Sequence, residues 1–94
     1  MDITDLVGQV ATIRTVTGEE IIARVKDVER NGSLIAVTDP LVVMIDETGS
    51  AMTLPYSITG RNELVYFQVR NIFSITRCTP EAQSDYEVQT ADAG

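Results

Sequence analysis

A chain of 94 residues suffices for one domain, close to the size at which too little apolar surface is buried for it to stand alone, so association is expected from the start. Its 44% apolar residues, 5% aromatics and many Val, Ile and Thr describe a β-rich soluble domain. They exclude a disordered chain and a bilayer-spanning run, while the absence of His and the single Cys78 exclude a zinc site, a Cys-His nucleophile and an internal disulfide. The net charge of −7 comes from 14 acids and 7 bases, four of the acids lying beyond Thr79; the part up to Thr79 carries ten acids against seven bases, so binding of a phosphate backbone would need a local basic patch.

The first residues, Met1 to Asp5, are acidic and lack the basic and then apolar regions of a secretory leader, so a cytoplasmic protein is expected. Asp2 to Val7 has the pattern of one or two helical turns, with Asp2 or Thr4 as N-cap and Gly8 suited to a left-handed stop. Gln9 to Val16 is the first strand, and neither of its faces is purely polar, so both meet something. Thr17-Gly18-Glu19 reverses the chain because Gly tolerates positive φ without steric cost. In the second strand, Glu20 to Arg30, the residues Ile21, Ala23 and Val25 share a face, whereas Val28 is out of phase with them. A bulge near Lys26-Asp27 returns Val28 to the core side and bends the strand.

Arg30-Asn31-Gly32-Ser33 is the next turn. Ser33 to Thr38 and Leu41 to Ile45 are continuous apolar runs, as expected of a strand covered on both faces. Asp39-Pro40 between them marks a bulge, a kink or an edge, since Pro donates nothing to a ladder. After the turn Asp46 to Gly49, Met52, Leu54, Tyr56 and Ile58 alternate with Ala51, Thr53, Pro55 and Ser57, giving a one-sided strand that Pro55 places at an edge. Glu63 to Val69 is a further strand, with Val65, Phe67 and Val69 on one face, and Arg70-Asn71 turns tightly into a last strand, Ile72 to Arg77. Cys78 reads as a small hydrophobe at that strand's end. Beyond Thr79 the composition becomes polar and acidic; Pro80 can open a helical turn, but residues 80–94 are expected to form a mobile tail attached to a barrel domain, residues 1–79.

The order of elements from Ile3 to Arg77 resembles the Sm/LSm family, which includes bacterial Hfq. Ala11, Ile13 and Thr15 match its first strand, Gly18 its turn glycine, Ala23 its bend glycine, and Val25 and Val28 the core positions that follow. Ile72 and Ile75 match the apolar positions of its final strand. The resemblance implies an all-β fold: a small, bent, five-stranded Sm/SH3-like barrel with a short N-terminal helix, here elaborated between the third and fourth strands over residues 41–62. It also implies a homo-oligomeric ring of about five to seven subunits. The family's RNA-contacting Asp and Asn align with Glu29 and Ser33, its Arg-Gly is absent, and Gln68 falls near the Arg position with Arg70 and Asn71 just after. Divergent sequences of this kind are similar to Sm-like proteins of tailed bacteriophages, including cyanophages, which would place the protein in a host cytoplasm.

Nothing in the residues points to an enzyme or to a cofactor: there is no Gly-rich phosphate loop and no metal-ligand spacing, and the adjacent Glu19 and Glu20 alternate across a strand. Two readings remain. One is a ring that binds RNA around a pore through Glu29, Asn31, Ser33, Gln68, Arg70 and Asn71; the other is a protein interaction or assembly ring that has lost nucleic-acid binding. Arg24, Lys26 and Arg30, with Arg14 across the hairpin, share the parity of a basic stripe, for which a solvated, ion-paired strand face is the plainer reading. Tyr66, Phe67 and Phe73 can stack on bases, although core packing is the plainer expectation for the two Phe.

Overall fold

β2 (Glu20–Glu29) and β3 (Leu34–Ile45) are the long strands of the chain, and they pair antiparallel with two interruptions. Between the pairs Ile22↔Leu41 and Arg24↔Thr38, β3 carries one extra residue at Asp39-Pro40; between Val25↔Val37 and Asp27↔Ala36, β2 carries one at Lys26. Both bulges fall where the sequence pattern places an irregularity. Asp39 takes the left-handed conformation (φ 48°), and the buried ring of Pro40 needs no ladder partner for its nitrogen. Because each bulge sharpens the twist, the pair curls and each half of β3 meets a different neighbour.

The computed structural model describes residues 3–57 and 59–91, so the candidate N-cap Asp2 and the alternating Ile58 lie outside the described residues. A 3-10 turn (Ile3–Leu6) leads to β1 (Val10–Thr15); β4 (Ala51–Pro55), β5 (Val65–Gln68), a second 3-10 turn (Val69–Asn71) and β6 (Ile72–Arg77) follow β3. The sheet order is β4-β3-β2-β1-β6, with β5 paired to the first half of β3 and β4 to its second half. Together β4 and β5 occupy the place of one long strand, divided by the connection over residues 56–64. The elaboration at 41–62 thus lengthens the β3–β4 hairpin into an arm and adds that connection. The backbone amide of Asp39 donates to the carbonyl of Asn62 (2.7 Å), and the amide of Tyr56 donates to that of Pro40 (3.0 Å), which ties the connection to the bulge.

Alternation sorts the apolar residues onto two sides of the curled sheet. Inside lie Leu6, Ala11, Ile13, Ile21, Ala23, Val25, Ile35, Val37 and Phe67. Val28 shares their side through its cross-strand partner Ile35, as the bulge requires, yet stays only half-buried at the rim. Outside, Val10 and Ile22 are buried as well, which accounts for the mixed faces of the first two strands.

What covers that outer side corrects the expectation of a mobile tail. Residues Pro80–Ala91 form a helix, α1. Pro80 opens it, where a missing amide hydrogen matters least, and the hydroxyl of Thr79 accepts from the amide of Ala82 (3.2 Å). The helix docks through Tyr86, which is 3% exposed and packs with Val10 and Ile22 against Leu41, Val43, Cys78 and Ala82. Its hydroxyl accepts from the amide of Arg24 (3.2 Å) and donates to the carbonyl of Thr38 (2.8 Å), the partnered residues beside the β3 bulge. Burial pushes the Tyr86 phenol above its ordinary value, against the lowering effect of the Arg24 amide, so the hydroxyl keeps the proton it donates. Among the described residues no helix is long and apolar enough to cross a membrane.

Ending the chain at Asp85 removes this anchor and should destabilise the domain by roughly 3 kcal/mol, the scale of an aromatic deletion from a core. Tyr86→Phe alone should lower stability by about 1–3 kcal/mol, because two backbone groups lose their partner. Urea midpoints that do not move would detach α1 from the fold. Gly18 has φ 96° at the β1–β2 turn, so Gly18→Val should cost at least about 1 kcal/mol by the same measurement.

Candidate functional site

Two turns meet at the far end of β3. In the first, Arg30, Asn31 and Gly32 are successive left-handed residues (φ 53°, 57° and 89°). The amide of Gly32 donates to the carbonyl of Glu29 (3.2 Å), while the amide and hydroxyl of Ser33 donate to the carbonyl of Arg30 (3.2 and 2.9 Å). Asn and Gly suit such a turn, but Arg at positive φ is uncommon and strained. The pairing Leu34↔Gln68, continued by the Val69 amide donating to the carbonyl of Ser33 (2.9 Å), lays the second 3-10 turn beside it.

Between the turns is an open depression of about 500 Å³. Arg30, Gly32, Ser33 and Leu34 line it from one side and Gln68, Val69 and Arg70 from the other. Of the residues singled out from sequence, Ser33, Gln68 and Arg70 therefore come together. Glu29, Asn31 and Asn71 do not line the depression: Glu29 is half-buried opposite Leu34, Asn31 is exposed in its turn, and the carbonyl of Asn71 accepts from the amide of Val16 (2.9 Å). Arg30 is the lining residue that sequence reasoning assigned elsewhere. Its signal was available in Arg30-Asn31-Gly32, a turn that takes Arg30 out of β2.

The electrostatics separate these arginines from Arg14 and Arg24, while Lys26, Arg61 and Arg77 are likewise without an ion pair among the described residues and lie outside the depression. Arg14 is held by Glu20 (2.6 Å), and Arg24 donates to the carbonyl of Gly8 (3.0 Å) and lies 3.6 Å from Glu87. Among the described residues, Arg30 and Arg70 make no side-chain hydrogen bond and no ion pair, and Glu29 is not within salt-bridge distance of either. The basic stripe suggested by strand parity does not form, because the bulge at Lys26 breaks that parity and Arg14 and Arg24 are already partnered.

The aromatic residues divide differently from expectation. Phe67 is buried and meets the Tyr56 ring edge to face at 5.0 Å. Phe73 is not in the core: it is 75% exposed on β6, where the register with β1 skips it between Ser74 and Ile72. Tyr66 is half exposed on β5. At the opposite edge, the arm displays Met44, Met52, Leu54 and Tyr56, and three of these, Met44, Leu54 and Tyr56, line with Val42 a second depression of about 530 Å³.

Other reactive groups are structural. Burial pushes the Cys78 thiol up, away from the thiolate a nucleophile needs. The Thr48 hydroxyl, followed by the Ser50 amide, holds the Asp46 carboxyl below its ordinary value as the cap of the β3–β4 turn.

No model of a known protein family matches this sequence, and no curated protein matches it. Among solved structures, the chain is similar to a heptameric archaeal Sm protein at 12% sequence identity, with a TM-score of 0.54 over 80% of this chain and 93% of that one. The bent antiparallel barrel described above thus has the fold of the Sm proteins.

Proposed function

We propose that this protein acts as a closed homo-oligomeric ring that binds single-stranded RNA at the depression between its two turns. The observation that carries the RNA reading is the convergence on one depression of an acidic chain of two arginines, Arg30 and Arg70, that have no partner among the described residues. Free guanidiniums in such a place serve an anionic ligand that the protein itself does not supply. The ring follows from the edges. β6 leaves one edge of the sheet open and β4 with β5 leaves the other, and both carry exposed apolar residues: Phe73 on the first, Leu54, Leu64 and Tyr66 on or beside the second. Such edges invite pairing, and head-to-tail pairing that closes yields a ring. The archaeal protein of similar fold is heptameric, which supports a ring of about five to seven copies here.

A second reading is a protein assembly ring, such as a phage-encoded one, working in the same cytoplasmic setting. The apolar arm and the net charge of −7 favour it.

Light scattering on a gel-filtration peak at micromolar concentration should give a mass of several subunits, and Phe73→Asp should dissociate it. A one-subunit mass would remove the ring. Retention of oligo-U or oligo-A on a filter at low salt, with affinity falling as salt rises, should accompany the ring; no retention of either would leave the assembly reading.

A further inference from the structure

We infer that the depression between the two turns recognises the phosphate backbone of RNA and not its base sequence. This rests on the RNA-binding reading above and specifies what that site can read. Sequence is read through donors and acceptors matched to base edges, whereas charge-assisted donors hold the backbone. The lining offers the second set. It includes no carboxylate to accept from a base and no aromatic ring to sandwich one. The hydroxyl hydrogen of Ser33 is committed to the carbonyl of Arg30, which leaves the Gln68 amide as the one lining side chain able to present a donor and an acceptor together. Leu34 and Val69 are aliphatic. Stacking on a guanidinium plane is the remaining π contact, and it tolerates any base.

The backbone of the turn points the same way. Arg30 is held at φ 53°, a conformation that asparagine or glycine adopts with less strain, and its side chain meets no partner among the described residues. A residue kept in a strained conformation with a free charge is placed for what its guanidinium does outside the chain. Glu29, the adjacent acid, stands outside the lining and does not neutralise it.

The test uses the full chain, with its oligomeric state checked by light scattering, and filter binding to oligo-U, oligo-A and oligo-C of equal length across a range of salt. The three affinities should agree within about threefold and fall together as salt rises. An abasic ribose-phosphate strand of the same length should compete within about tenfold of oligo-U. Arg30→Gln and Arg70→Gln should each weaken all three homopolymers in parallel and flatten the salt dependence, while Gln68→Ala leaves their ranking unchanged. A preference above about tenfold for one homopolymer, or a Gln68→Ala loss confined to one, would overturn backbone recognition while leaving RNA binding in place. Failure of every strand to bind would overturn both.

Discussion

The Tyr86 hydroxyl is the contact on which the arrangement of this small barrel turns. A sheet that curls tightly enough to enclose its own core has to loosen its ladder somewhere, and here it does so beside Asp39-Pro40. The phenol enters there, taking a hydrogen bond from the Arg24 backbone and giving one to that of Thr38. One side chain thus satisfies two strands and fastens the helix that covers their outer side. With both sides covered, β2 behaves as the centre of a two-layered body built around a single sheet.

Much of this was legible in the residues. Glycine in Thr17-Gly18-Glu19, the parity break at Val28 and the proline at Pro40 each state a backbone requirement locally, and the structure meets them where they stand. The docked helix was not legible for an equally physical reason. Its buried side rests on one large residue, Tyr86, amid Ala, Gln, Ser, Asp and Thr, and one aromatic makes no period. Phe73 misled in the opposite sense. An aromatic within an apolar strand reads as core, and only the register slip against β1 leaves it facing outward. At the site, the pairing of Leu34 with Gln68 that joins the two turns is a long-range fact, invisible to local pattern. Proximity of Ser33, Gln68 and Arg70 could be expected from the family resemblance; the participation of Arg30 depended on turn geometry.

Charge in this chain matters by position more than by sum. Arg14 and Arg24 are matched to carboxylates, and the acids of α1 ride on a helix whose buried side faces the outer surface of the sheet. Of the bases without an ion pair among the described residues, Arg30 and Arg70 sit where two turns abut, on either side of one depression. A net charge of −7 is therefore compatible with a local cationic patch, and it discourages polyanions from settling elsewhere on the surface.

The way α1 is held also bears on the order in which the molecule forms and loosens. The bonds from Tyr86 reach back 62 and 48 residues along the chain, whereas the β1–β2 and β2–β3 hairpins close across short turns. Hairpins can assemble while the C-terminal segment is still searching, and the seat for the phenol exists only once both long strands are bent. In the native state α1, a terminal helix held to the sheet through Tyr86, can open as a unit separate from the strands. Its departure bares a strip of Val10, Ile22, Leu41 and Val43 while the inner core remains closed. Crowded or warm conditions would then act on a folded barrel with one adhesive side, so self-association through that strip would set in well before the chain as a whole unravels.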